Sequence, residues 1–142
     1  MPVEILYVED SPGEVLLLRE AVRTLNENVQ LVTAGDGEVA LALLLSASVQ
    51  PCVIVLDLNL PGIGGTEVLK AVKSHPELKA VPTVVFAEGA ARKQIQITGY
   101  TPDLFLTKPM DLDGYMVVAK KIIALCAPSQ EPGVAPRVRG GI

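Results

Sequence analysis

Aromatic residues are scarce in this sequence: Phe, Trp and Tyr make up 4% of its 142 residues, and tryptophan is absent. Sites that bind bases or sugars by stacking need such rings, so a stacking platform is not expected. Positive charge is also limited, because 12 Lys and Arg stand against 16 Asp and Glu, which leaves a net charge of −4. A dedicated nucleic-acid binder carries a basic face, so we expect no nucleic acid among the partners.

Long apolar runs are missing as well. The longest, Val39 to Leu45, is far shorter than the roughly 20 residues that cross a bilayer. Residues 1–4 show neither a basic region nor a cleavage pattern for export. We therefore expect a cytoplasmic protein that does not enter the membrane.

The chain has only two cysteines, Cys52 and Cys126, and both lie in apolar segments. A chain of this length can bury a sufficient core without a disulfide or a structural metal. In a reducing compartment both are expected to be free thiols, buried or at an interface, with a disulfide as the alternative.

Apolar residues make up 49% of the chain, and they fall into strand-like segments that alternate with helical ones. The predicted strands are Val3–Val8, Val29–Ala34, Cys52–Leu58, Val81–Ala87 and Leu104–Thr107; helices are predicted over 12–26, 38–47, 66–74, 90–97 and 112–126. This alternation with short connections is typical of a doubly wound α/β fold, in which a five-stranded parallel sheet carries helices on both faces. Residues 1–126 form the predicted domain, and the Pro- and Gly-rich residues 127–142 a flexible tail.

The first helix has a clear start signal. Ser11 is the predicted N-cap, Pro12 occupies the first helical position, and Glu14 completes a capping box three residues after Ser11. Asp111 is the predicted cap of the last helix.

Charged side chains follow three of the predicted strands: Glu9 and Asp10 follow the first, Asp57 ends the third, and Lys108 follows the fifth. The carboxyl ends of parallel strands meet at one edge of a sheet, so these residues are expected to converge on one crevice. Carboxylates brought together repel one another and favour a bound cation, and oxygen ligands without His or Cys indicate Mg²⁺. Lys108 can neutralise an anionic group attached to Asp57.

Three short segments carry a family resemblance: Val8–Asp10, Leu56–Gly62 and Leu106–Pro109. With them, residues 3–126 resemble the receiver domain of two-component response regulators, and most of all the stand-alone receivers that partner bacterial phytochrome kinases. The resemblance implies the flavodoxin-like strand order 2-1-3-4-5. It also implies a signalling module rather than an enzyme.

The same resemblance implies a role for each site residue. Asp57 would accept a phosphoryl group from a sensor histidine kinase, for example one of the phytochrome type, or from a phosphotransfer protein. Glu9, Asp10, Asp57 and the backbone carbonyl of Asn59 would hold Mg²⁺, and Lys108 would contact the phosphoryl group.

The sequence departs from the family pattern at the switch positions. Most receivers have Thr or Ser where this chain has Ala87, and the next residue, usually small, is Glu88. The aromatic switch position is Phe105, which lacks the hydroxyl of a tyrosine. A pseudo-receiver, an interaction module with an impaired switch, is therefore the alternative function.

Other proteins of this architecture fit less well. A flavodoxin needs a phosphate-binding loop after the first strand, where Glu9 and Asp10 would repel phosphate. A phosphatase of the haloacid dehalogenase type needs a second Asp where this chain has Asn59.

The last helix is apolar on more than one face. Its predicted core stripe consists of Leu112, Tyr115, Met116, Ala119, Ile122 or Ile123, and Cys126, whereas Val117, Val118, Ala124 and Leu125 lie partly outside that stripe. We therefore expect a homodimer through strand five and the last helix.

Overall fold

The computed structural model describes residues 3–58, 60, 62–87 and 99–126. The strands are β1 (Val3–Val8), β2 (Val29–Ala34), β3 (Val53–Leu56), β4 (Thr83–Ala87) and β5 (Leu104–Thr107). The helices are α1 (Pro12–Leu25), α2 (Gly37–Leu45), α3 (Gly65–Ser74) and α4 (Leu112–Cys126). The helix predicted over 90–97 and the tail 127–142 lie outside the described residues. Within the described ranges, no helix is both long and apolar enough to cross a membrane.

All paired strands are parallel, and their order in the sheet is β2-β1-β3-β4-β5. The predicted doubly wound fold and its strand order are therefore confirmed. Val8 pairs with Leu56, and Ala87 pairs with Thr107, so the strands end at nearly the same level. The residues that follow β1, β3 and β5 consequently meet at the carboxyl edge of the sheet.

Helices cover both faces of the sheet. Ile5 and Tyr7 of β1 face the core formed with α1 and α4, whereas Leu6 and Val8 face the core formed with α2 and α3. This alternation follows from the pleat, which points successive side chains to opposite faces. Every residue of β3 and β4 is buried, as expected for strands of a parallel sheet that are apolar at every position but Thr83.

Side-chain caps start α1 and α4 where the sequence predicts them. Ser11 Oγ accepts a hydrogen bond from the Glu14 N–H at 3.4 Å, and Pro12 opens α1. Asp111 Oδ1 accepts from the Gly114 N–H at 2.9 Å at the start of α4. These bonds satisfy N–H groups that have no partner within the helix.

The predicted core stripe of α4 is wrong at two positions. Val118 is buried, whereas Leu112 in the first turn is 48% exposed. Val118 lies three residues after Tyr115 and four before Ile122, so it shares their buried face. Leu112 also lies three residues before Tyr115, so helical spacing does not explain its exposure; it is the first residue of the helix.

The expected free thiols are also wrong, because Cys52 and Cys126 form a disulfide. Helix α4 begins at the carboxyl edge of the sheet and runs back across it, which brings its last residue beside the residue that precedes β3. The two Cα atoms lie 4.9 Å apart, within the usual range for a disulfide. The residues are 74 positions apart in the chain, so only the fold reveals their proximity.

Candidate functional site

Asp57 is the first residue after β3, and a backbone hydrogen bond to β1 fixes its position. Its N–H donates to the Val8 carbonyl at 3.1 Å, which extends the ladder between β3 and β1 by one bond. Only 3% of the residue is exposed. The start of α3 also packs closely against Asp57: a Cβ on Gly65 would overlap the Asp57 carbonyl oxygen. Gly65 thus permits the close packing that fixes Asp57.

Glu9 is a buried acid with three hydrogen bonds. Its Oε1 accepts from Tyr7 Oη at 3.1 Å and from Lys108 Nζ at 3.0 Å, and its Oε2 accepts from the Ser11 N–H at 3.2 Å. Burial raises the pKa of Glu9 to about 7; Lys108 opposes this shift, and the charge of Asp57 adds to it. Burial and the neighbouring Glu9 likewise raise the pKa of Tyr7.

Lys108 supplies the positive charge of the site. Among the described residues, its Nζ lies 3.0 Å from Glu9 Oε1, 3.4 Å from Asp57 Oδ1 and 2.5 Å from Glu14 Oε1. Burial alone would lower the pKa of Lys108, but the carboxylates of Glu14, Glu9 and Asp57 outweigh burial and raise it. The amine therefore remains an ammonium ion at neutral pH.

Glu14 is a site residue whose role is not evident from the sequence. The sequence pattern predicts it only as part of a capping box, in which its carboxylate accepts from the Ser11 N–H. That N–H donates to Glu9 instead, and the Glu14 carboxylate contacts Lys108. The position of Glu14 in the sequence could have indicated this role. An acid in the first turn of α1 lies beside the same crevice as the residues that follow β1.

The three acids predicted to bind metal come together. Glu9, Asp10 and Asp57 each offer a carboxylate oxygen, and these oxygens lie within 4.8 Å of one another. Asp10 is exposed, whereas Glu9 and Asp57 are buried. A donor set of oxygens alone suits a hard cation such as Mg²⁺, so the residues present fit the predicted ion. The fourth predicted ligand, Asn59, lies outside the described residues.

The predicted switch positions occupy the neighbouring strands. Ala87 ends β4, is 1% exposed, and accepts the Lys108 N–H on its carbonyl at 3.1 Å. Phe105 in β5 is partly buried against the core beneath α2 and α3. Glu88 lies outside the described residues. The end of β4 thus adjoins the site without offering a hydroxyl to it.

The arrangement combines a nucleophilic oxygen with groups that offset negative charge. Asp57 presents a carboxylate at the sheet edge, Lys108 supplies an ammonium, and Glu9 and Asp10 add the oxygens that a cation requires. Such a site can accept a phosphoryl group, because transfer of this group depends mainly on positioning and on charge neutralisation.

Comparison with known proteins agrees with this geometry. A model of the response regulator receiver domain matches residues 5–119. Response regulator Rcp1 of Synechocystis sp. is 40% identical over 89 residues, which cover 59% of this chain and 60% of Rcp1. Response regulator PleD of Caulobacter vibrioides is 37% identical over 112 residues, which cover 78% of this chain and 24% of PleD. The chain thus spans less than two thirds of either relative.

Solved structures show the same fold. The Mn²⁺-bound form of response regulator Rcp1 superposes with a TM-score of 0.76 at 32% identity, covering 87% of this chain and 93% of that one. The phosphorylated cyanobacterial phytochrome response regulator RcpA gives a TM-score of 0.79 at 28% identity, covering 92% of this chain and 98% of that one. Fold, site and sequence agree: the chain belongs to the response regulator receiver domain family.

Proposed function

We propose that this protein is a single-domain response regulator that accepts a phosphoryl group on Asp57 from a phosphohistidine of a sensor histidine kinase. One observation carries the proposal: the Asp57 carboxylate lies at the carboxyl edge of the sheet, 3.4 Å from the Lys108 ammonium and beside Glu9 and Asp10. Residues 1–126 would form the receiver, with 127–142 as an appended tail. The protein would act in the cytoplasm and pass the signal on by protein contacts rather than by turnover of a substrate.

In the transfer step, an Asp57 carboxylate oxygen forms a bond to phosphorus while the bond between phosphorus and the histidine nitrogen breaks. The electron pair of the broken bond returns to the imidazole, and Asp57 becomes an acyl phosphate. The Lys108 ammonium offsets charge on the phosphoryl oxygens. Mg²⁺ bound by Glu9, Asp10, Asp57 and the Asn59 carbonyl would supply further charge neutralisation.

Removal of Mg²⁺ is expected to slow phosphorylation by on the order of a hundredfold, because the site then keeps its carboxylate repulsion. The test incubates the protein with acetyl phosphate in Mg²⁺ or in EDTA and follows the mass of one added phosphoryl group. Equal labelling in Mg²⁺ and EDTA would contradict the metal assignment, and the absence of labelling from acetyl phosphate and from any histidine kinase would contradict the phosphoacceptor assignment.

Ala87 favours a second candidate, the pseudo-receiver. The buried methyl group at the end of β4 cannot donate a hydrogen bond to a phosphoryl group. Beryllofluoride, which imitates the phosphoryl group, separates the candidates: a phosphoaccepting receiver binds it in the presence of Mg²⁺, and a pseudo-receiver binds it weakly or not at all. Binding without a change in the NMR signals of β5 and α4 would indicate an intact site with an impaired switch.

The relatives support a phytochrome-type kinase as the partner. RcpA is a phytochrome response regulator, and its structure covers 92% of this chain. The bacteriophytochrome response regulator RtBRR gives a TM-score of 0.73 at 26% identity over 89% of this chain and 79% of that one. Phosphotransfer from a phytochrome kinase, compared with an unrelated histidine kinase, tests this assignment.

A homodimer through β5 and α4 is proposed because large apolar side chains are exposed there. Met110 is 99% exposed, Leu112 48% and Val117 55%. Val117→Lys is expected to convert a dimer to a monomer in light scattering, because a charge would be buried at the interface. Leu45→Lys on α2 is the matched control, since Leu45 is 59% exposed on the opposite face of the sheet. A monomeric wild type at high concentration would contradict the proposal.

A further inference from the structure

The Lys108 ammonium has more carboxylate partners than the phosphoryl-transfer chemistry requires. Glu9 and Asp57 belong to the acidic cluster at the sheet edge, but Glu14 comes from α1 and lies outside that cluster. Glu14 Oε1 is nevertheless the nearest of the three to Lys108 Nζ, at 2.5 Å against 3.0 Å and 3.4 Å. The ammonium is thus drawn toward α1 as well as toward Asp57.

The three acids differ in their access to water. The side chains of Glu9 and Asp57 are 2% and 4% exposed, whereas that of Glu14 is 35% exposed. Glu14 also has no capping bond to lose, because the Ser11 N–H donates to Glu9. The Glu14 Oε1 atom that contacts Lys108 is itself buried, but the rest of the side chain reaches the surface. Of the three carboxylates, Glu14 is therefore the one with the shortest path from Lys108 into solvent.

We propose that Glu14 is a positioning residue: its carboxylate holds the Lys108 ammonium in the unphosphorylated protein and releases it when a phosphoryl group is attached to Asp57. The inference rests on the proposed function of Asp57. A phosphoryl group adds about one to two negative charges and strong acceptor oxygens, so it competes with Glu14 for the same ammonium. The like charges of the phosphoryl group and Glu14 also repel each other, which favours the release.

Glu14 therefore opposes phosphorylation in the resting protein. Glu14→Gln keeps the size of the side chain and removes its charge, so Lys108 becomes available to the phosphoryl group. We expect Glu14→Gln to bind beryllofluoride in Mg²⁺ about tenfold more tightly than the wild type, since one like charge near the anion is removed. It should also accept phosphate from acetyl phosphate faster by a similar factor.

The matched control is Glu20→Gln. Glu20 lies on the same helix and undergoes the same change of charge, but its carboxylate pairs with Arg23 at 2.6 Å. This variant is expected to bind beryllofluoride as the wild type does. Glu14→Asp keeps the charge on a shorter side chain and is expected to fall between the wild type and Glu14→Gln. Structural damage would weaken binding, so a gain in affinity distinguishes positioning from loss of fold.

A second measurement examines the contact without phosphoryl chemistry. The ¹⁵N resonance of the Lys108 ammonium in the metal-free protein is expected to move in Glu14→Gln and to stay in place in Glu20→Gln. The proposal fails if this resonance is unchanged in both, or if Glu14→Gln binds beryllofluoride no better than Glu20→Gln does. If the wild type binds no beryllofluoride while the resonance still moves, the proposed function of Asp57 fails, and the role of Glu14 in it fails with it.

Discussion

Asp57→Asn is expected to abolish the acyl phosphate and, at the same time, to stabilise the metal-free protein. An amide oxygen is a far weaker nucleophile than a carboxylate, so labelling from acetyl phosphate should disappear. The stability should change in the opposite sense, because Asp57 and Glu9 are each 3% exposed and, above the Glu9 pKa of about 7, place two buried negative charges near each other.

The expected gain follows from the charges that remain. The substituted amide would occupy nearly the volume of the Asp57 carboxylate without its charge, and Lys108 would keep its contacts with Glu9 at 3.0 Å and with Glu14. Removing a buried like charge while keeping these ion pairs is expected to raise the free energy of unfolding by about 1–2 kcal/mol. The variant loses the attraction between Lys108 and Asp57. At 3.4 Å this is the longest of the three contacts of Lys108, so its loss reduces the gain only in part.

Urea denaturation with and without Mg²⁺ measures the stability, and the mass of the protein after incubation with acetyl phosphate measures the labelling. Mg²⁺ should stabilise the wild type, because an ion that binds the folded state adds its binding free energy, and it should have little effect on Asp57→Asn. Asp113→Asn, the same substitution at an exposed position in the first turn of α4, is the control and should retain full labelling. Labelling of Asp57→Asn, or a metal-free variant less stable than the wild type, would contradict this account.

Opening the disulfide between Cys52 and Cys126 is expected to lower the free energy of unfolding by about 4 kcal/mol. The bond spans 74 positions, and a cross-link over so long a loop removes much of the conformational freedom of the unfolded chain. The double variant Cys52→Ala/Cys126→Ala should reproduce the effect, and urea unfolding of the oxidised and reduced wild type measures it.

Reductant serves as the internal control for this prediction. It should shift the unfolding midpoint of the wild type and leave that of the double variant unchanged, because only the wild type has a bond to open. Titration of the native protein should find no free thiol before reduction. Two reactive thiols in the untreated protein would show that the bond is not formed. Equal stability with and without reductant would show that the bond contributes nothing to the free energy of unfolding.

Features that depend on local sequence could be predicted closely. The bounds of β1, β2 and β5 agree with the sequence, because runs of β-branched and aliphatic residues end at turn-forming residues. Ser11 and Asp111 cap their helices as predicted. The convergence of Glu9, Asp10, Asp57 and Lys108 followed from topology alone, since residues after parallel strands share one edge.

Features that depend on distances between elements could not be predicted. The partner of Glu14 is one example: the capping-box pattern is local, but Lys108 lies 94 positions further along the chain and outcompetes the Ser11 N–H for the carboxylate. The disulfide is another, because the expectation of free thiols rested on the compartment and not on geometry. The third strand ends at Leu56 rather than Leu58. Asp57 still donates its N–H to the Val8 carbonyl, and the chain then passes beside Gly65 at the start of α3.

The disulfide also fixes the point of the fold from which a group attached after the last described residue, Cys126, would extend. The Cys52 N–H donates to the Glu4 carbonyl at 2.8 Å, which places Cys52, and Cys126 with it, at the amino edge of the sheet. Asp57 lies at the opposite edge, about 16 Å away at the rise of roughly 3.3 Å per strand residue. A fluorophore or affinity tag joined directly after Cys126 would therefore begin on the far side of the sheet and leave the carboxylates of the site open to a kinase.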